Sequence, residues 1–109
     1  MSFAMGLATE AYGHPHSLQL DHIMRLERTA FAGKVRAARA VLGLSQDQFA
    51  HQVGLTQKSV HRIEQADVQP KARTIHMIEQ FWGSQGIKFE NLRDGGFRLI
   101  VESAVLLRD

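Results

Sequence analysis

Gln57, Lys58 and Arg62 bring an amide, an ammonium and a guanidinium together on one short stretch of chain. Such groups recognise partners by directed hydrogen bonds and by charge. Ser59 and Gln46 add uncharged donors near positions that read as helix starts, where outward backbone N–H groups favour anions. Lys71 and Arg73 supply two further cations downstream. The chemistry on offer is the binding of a polar, anionic surface.

Bond-making chemistry finds little support. The 109 residues include no cysteine, which removes thiolate nucleophiles, disulfides and cysteine zinc sites together and fits a reducing compartment. Serines, histidines and aspartates occur without a nucleophile–base spacing, and no glycine-rich phosphate loop is present. No enzyme and no cofactor are expected. His14-Pro15-His16 and His22 lack a fixed ligand geometry, and His51, His61 and His76 fall on three separate segments, so no metal site is expected either. His61 shares its segment with Lys58 and Arg62 and faces either an anion or solvent.

The formal charge of +2 is small, but it is unevenly placed. Residues 1–31 sum to −1, residues 32–82 to +3, and residues 83–109 balance four charges of each sign. The positive excess therefore coincides with the candidate residues.

Local signals show what must hold them. Residues 1–16 read as a loose, turn-prone arm around Tyr12-Gly13-His14-Pro15-His16. Leu20, Ile23, Met24, Leu26 and Phe31 give an amphipathic helix over about 18–29, and Gly33 leaves open whether it continues. Val35, Ala38, Arg39 and Leu42 mark the next helical face, and Gly43 ends it. Ser45 with Gln48 forms a capping box for a short helix whose buried side is Phe49, Ala50 and Val53. Gly54 stops that helix, Thr56 caps the next over 57–65, and Val60 and Ile63 face inward. A loop at 66–70 precedes a fourth helix over about 72–82 with Ile75, Ile78 and Phe81 inside. Strand-like alternation then takes over, with a hairpin of about 86–91 and 96–102 turning at Asp94-Gly95-Gly96 and a second strand extending towards 107.

From Gln46 as the first position of a twenty-residue unit, a small residue stands fifth (Ala50), a glycine ninth (Gly54), and apolar residues fifteenth and eighteenth (Val60, Ile63). The stretch VRAARAVLGLSQDQFAHQVGLTQKSVHRIEQ resembles the phage repressor/Cro-like (XRE) helix-turn-helix family over about residues 32–82. The resemblance implies a mainly α fold, a lambda-repressor-like helix-turn-helix bundle, here with an N-terminal helix and a C-terminal β-hairpin. It implies base contacts from Gln57, Lys58 and Arg62, phosphate contacts from Gln46 and Ser59, and a buried ion pair between Arg39 and Glu64. Lys71 and Arg73 are expected to reach the DNA backbone. Two departures stand out: family members commonly carry a glycine after the third helix where this chain has Gln65-Ala66, and Lys71 replaces a serine cap.

The resulting organisation is an N-terminal arm and helix at 1–30, a helix-turn-helix domain at 31–83 and a hairpin at 84–109. Phe89, Phe97, Leu99 and Val101 are expected to serve dimerisation, since an apolar hairpin on so small a domain needs covering. The expected function is a sequence-specific transcriptional regulator, a repressor, acting as a homodimer on an inverted repeat of double-stranded DNA. The alternatives are an antitoxin that binds a toxin partner and a protein-interaction module on the same scaffold. No apolar run approaches the ~20 residues of a transmembrane helix. Neither a membrane partner nor a signal peptide is expected, and the location is expected to be cytoplasmic.

Overall fold

The computed structural model describes residues 14–107, with side chains from residue 19. Residues 1–13 of the expected arm, and the side chains of His14 and His16, lie outside the described residues. The order is α1 (His14–Leu42), α2 (Gln46–Val53), α3 (Gln57–Glu64), α4 (Ala72–Ser84), β1 (Ile87–Asn91), β2 (Phe97–Val101) and a helical turn, α5 (Ser103–Leu106). The fold is a helix-turn-helix bundle closed by a two-stranded antiparallel hairpin. Among the described residues, no helix is long and apolar enough to cross a membrane.

α1 is a single helix of 29 residues, about 43 Å at 1.5 Å per residue. The two helical segments read on either side of Gly33 are therefore one, and residue 30 falls inside it. Gly33 stays in the helix because another element occupies the space beside it. A Cβ there would lie 3.3 Å from the Phe97 ring of β2. The glycine marks a close approach of strand to helix rather than a break.

Capping sets the short helices. The Ser45 hydroxyl accepts the Gln48 N–H at 3.0 Å, and the Gln48 side chain accepts the Ser45 N–H at 2.8 Å. Gly54, at φ 72°, turns the chain, and the Leu55 N–H closes the turn on the Ala50 carbonyl at 2.9 Å. Thr56 then caps α3 by accepting the Ser59 N–H at 3.1 Å. Phe49, Val53, Val60 and Ile63 are buried between α2 and α3, and Ala50 lets the two helices close together. Val35 and Ala38 of α1 and Ile78 of α4 complete this core. Each large apolar side chain buried there contributes about 1.5–3 kcal/mol.

The hairpin joins the same core through aromatic rings. Phe31, Trp82, Phe89 and Phe97 follow one another with centroids 5.8, 4.9 and 5.3 Å apart, linking α1, α4, β1 and β2. Lys34 sits between the Phe89 and Phe97 rings at 5.9 and 5.8 Å and donates to the Asn91 side chain at 2.6 Å. Strand pairing runs from Ile87↔Val101 to Asn91↔Phe97. The strand expected to continue towards 107 does not do so. The Glu102 N–H bonds the Gly86 carbonyl at 2.9 Å, and β1 starts at Ile87 because α4 ends just before it. With no strand left to pair, the chain turns into α5 and tucks Val105 inward.

The end of α3 resolves the departure at residue 66. The Ala66 N–H bonds the Ile63 carbonyl and the Asp67 N–H bonds the Arg62 carbonyl, each at 3.0 Å. This is the Schellman pattern, which requires a left-handed residue, and Ala66 supplies it at φ 58°. An alanine in that conformation costs about 1–2 kcal/mol. Ala66→Gly should therefore raise stability by about 0.5–1 kcal/mol, part of the relief being offset by unfolded-chain entropy. Urea denaturation at neutral pH reads this directly; a variant no more stable than the parent would contradict the strain.

Candidate nucleic-acid interface

α3 is short and strongly two-sided. Val60, Ile63 and Glu64 face the core, while Gln57, Lys58, His61 and Arg62 are exposed along the opposite side. The expected base-reading residues thus share one solvent-facing surface, with His61 among them. The side chains of Lys58, His61 and Arg62 make no ion pair or hydrogen bond among the described residues.

Glu64 is the only buried charged residue among those described, at 2% exposure. Its carboxylate takes Arg39 Nε at 2.8 Å and a second guanidinium nitrogen at 3.1 Å, the two-pronged geometry that suits arginine. Arg39 also donates to the Leu44 carbonyl at 3.1 Å, which ties in the turn before α2. The ion pair expected from the sequence is therefore present in the structure, and its acidic member is buried.

Two further arginines of α1 converge on the same place. Arg36 donates to the Glu64 backbone carbonyl, and Arg28 Nε donates to the Ala66 carbonyl at 3.1 Å. Carbonyls at the end of a helix lack intrahelical partners and carry partial negative charge, so cations there are favourable. Sequence reading missed both. Their signal was spacing: 28, 36 and 39 lie on the side of α1 that carries Val35.

Gln46 connects this buried pair to the surface. Its amide nitrogen donates to Glu64 Oε1 at 3.0 Å, and its amide oxygen accepts from Gln57 Nε2 at 2.6 Å. A carboxylate can only accept, so the direction of each amide follows from Glu64 outward. Half of the Gln46 side chain's four bonding sites are thereby taken up inside the protein. The Ser59 hydroxyl accepts from Thr56 at 3.0 Å, at the start of α3. Lys71 occupies the N-cap of α4 with no side-chain cap bond, and Arg73 is exposed in the first turn. Phe89, Phe97, Leu99 and Val101 are half-buried, and Phe89 and Leu99 pack on the core of their own chain.

Burial alone would push the Glu64 carboxyl up. Hydrogen bonds from Arg39 and Gln46, with the charges of Arg39 and Arg36, outweigh it and hold the group below the usual carboxylate range. The Glu64 hydrogen bond raises Arg39 in turn, against its partial burial. A carboxyl lowered on folding contributes stability that is complete above its unfolded pKa, about 4.3, and is lost as pH falls through the lower folded value. Denaturation midpoints between pH 7 and pH 3 should fall more steeply for the parent than for Glu64→Gln. At pH 7, Arg39→Ala should cost about 3–5 kcal/mol by leaving a buried charge unpaired. An unchanged midpoint for Arg39→Ala would remove the pair from the stabilising interactions.

No curated protein matches the chain. A family model described as a helix-turn-helix domain matches residues 30–81. The matched segment runs from the body-facing half of α1 through α2 and α3 into α4, and it contains the Arg39–Glu64 pair and the whole exposed face of α3. On fold and match together, the chain carries a helix-turn-helix domain.

Proposed function

We propose that the protein is a sequence-specific DNA-binding transcriptional regulator, a repressor that acts as a homodimer on an inverted-repeat operator. The observation that carries the reading is the exposed face of α3, where Gln57, Lys58, His61 and Arg62 stand together on a helix fixed from behind. A recognition helix presents such side chains from its N-terminal turns to base edges in the major groove. The basic excess of residues 32–82 lies on the same part of the chain.

The amide chain gives Gln57 a defined polarity. With one N–H held by Gln46, its oxygen and second N–H remain as an adjacent acceptor and donor. That pair matches the N6–H donor and N7 acceptor of adenine. Lys58 and Arg62 suit guanine O6 and N7. Ser59, the backbone N–H groups at the start of α2 beside Gln46, and the cations Lys71 and Arg73 suit phosphates, which set register. Two copies related by a two-fold axis would place their α3 helices about 34–36 Å apart on one face of the duplex. Repression follows where such a site overlaps a promoter.

Selection of bound fragments from genomic DNA yields the site, and fluorescence anisotropy on it tests the reading. Log K against log salt should slope downward by about 0.9 for each phosphate neutralised. Lys58→Ala and Arg62→Ala should each lose about 1–3 kcal/mol on the selected site and far less on random DNA. A slope near zero would overturn the regulator, and equal losses on both DNAs would reassign the two residues to the backbone.

A further inference from the structure

The two strands of the hairpin expose different side chains. The exposed residues of β1 are Lys88, Glu90 and Asn91, all polar, whereas β2 exposes Arg98 and Ile100. Ile100, at 41% exposure, is the one exposed apolar side chain among the strand residues. Charged side chains guard a sheet edge against further pairing, and an apolar edge invites it.

The edge of β2 is also open in its backbone. The Glu102 N–H bonds the Gly86 carbonyl and the Leu92 N–H bonds the Gly96 carbonyl, each at 2.9 Å. In the antiparallel register these bonds direct the N–H and C=O groups of Arg98 and Ile100 toward β1, and those of Phe97, Leu99 and Val101 outward. The outward groups have no hydrogen-bond partner among the described residues.

We infer that β2 pairs antiparallel with β2 of a second copy about a two-fold axis at Ile100, joining the two hairpins into a four-stranded sheet. The inference deepens the homodimer of the proposed function and rests on that reading. A two-fold contact must be complementary to itself. With the axis at Ile100, Leu99 and Val101 exchange backbone hydrogen bonds with Val101 and Leu99 of the second copy. The two Ile100 side chains meet on the outer face as a non-hydrogen-bonded pair, the closer kind. Glu102 is still extended, at φ −68° and ψ 145°, and continues that face, so it stands opposite Arg98 of the second copy.

Charge selects this register. An axis at Leu99 would set Arg98 against Ile100, and an axis at Arg98 would set the two arginines against each other. The charged groups are available for it. Among the described residues the Glu102 side chain makes no ion pair or hydrogen bond, and Arg98 engages Glu90 through Nη1 alone. The chain beyond the strand leaves the edge clear, because α5 packs Val105 against Gly86, on the β1 side.

Sedimentation of the full chain without DNA tests the interface. The parent should be a dimer at about 50 μM, and Ile100→Glu should weaken it by at least about tenfold. Arg98→Glu alone and Glu102→Arg alone set like charges opposite at both ends of the contact, and each should weaken it about tenfold. An equal mixture of these two variants restores both opposite-charge pairs in the mixed dimer and should return to within about threefold of the parent. Thermal melting checks that each variant is folded. Hydrogen exchange on the parent reads the backbone itself: the Leu99 and Val101 amides should exchange slowly at 50 μM and faster on dilution. A monomeric parent overturns the inference, and so does slow exchange at Phe89 in place of Leu99, which puts the contact on β1. A folded mixture as weak as its components overturns the register. A parent that dimerises in this way but binds no DNA keeps the interface and refutes the regulator, whereas one that binds its selected site but stays monomeric off DNA does the reverse.

Discussion

One buried carboxylate organises the molecule. Glu64 alone gathers the guanidinium of Arg39 and the amide of Gln46, and through them it connects α1, the turn before α2, and the exposed end of α3. A charge taken out of water is tolerated only when its lone pairs are filled. The requirement works in reverse as well. Because each acceptor site on Glu64 must find a donor, the three helices have little freedom in how they meet. Arg36 and Arg28 repeat the principle on the neighbouring carbonyls, so the end of α3 is held by side chains from a helix distant in sequence.

Much of this was legible in the sequence, because the local rules and the global fold agree. The Ser45–Gln48 capping box, the Gly54 turn, the small Ala50 and the apolar wedge between α2 and α3 each follow from a spacing rule that needs no tertiary knowledge. The Arg39–Glu64 pair was reachable through family resemblance. What escaped the sequence depended on contacts between distant segments. Gly33 reads as a weak point when only helix propensity is considered, yet the Phe97 ring that accounts for it lies 64 positions later. Arg28 and Arg36 look like solvated charges until the carbonyls they reach are placed. The strand read through Ala104–Leu107 failed for want of a partner, since β-propensity cannot count the residues left on the opposite strand.

The hairpin shows how a small domain finishes its core. A two-stranded sheet is marginal alone, and here its inner face is seated on a line of rings that crosses from α1 to α4 and back. Lys34 closes the outer end of that line with its charge over two ring faces. The aromatic residues thereby supply orientation as well as area, because the edge-to-face contacts of Phe89 with Trp82 and with Phe97 fix angles that aliphatic packing leaves loose.

Gly33 has one further consequence. A glycine in the middle of a long helix is ordinarily where the helix would bend, and here a ring from β2 rests against that point. The soft joint is splinted. α1 therefore passes the hairpin as one unbroken helix, with Leu20 and Met24 on the outer side of Gly33 and Arg36 and Arg39 on the inner side.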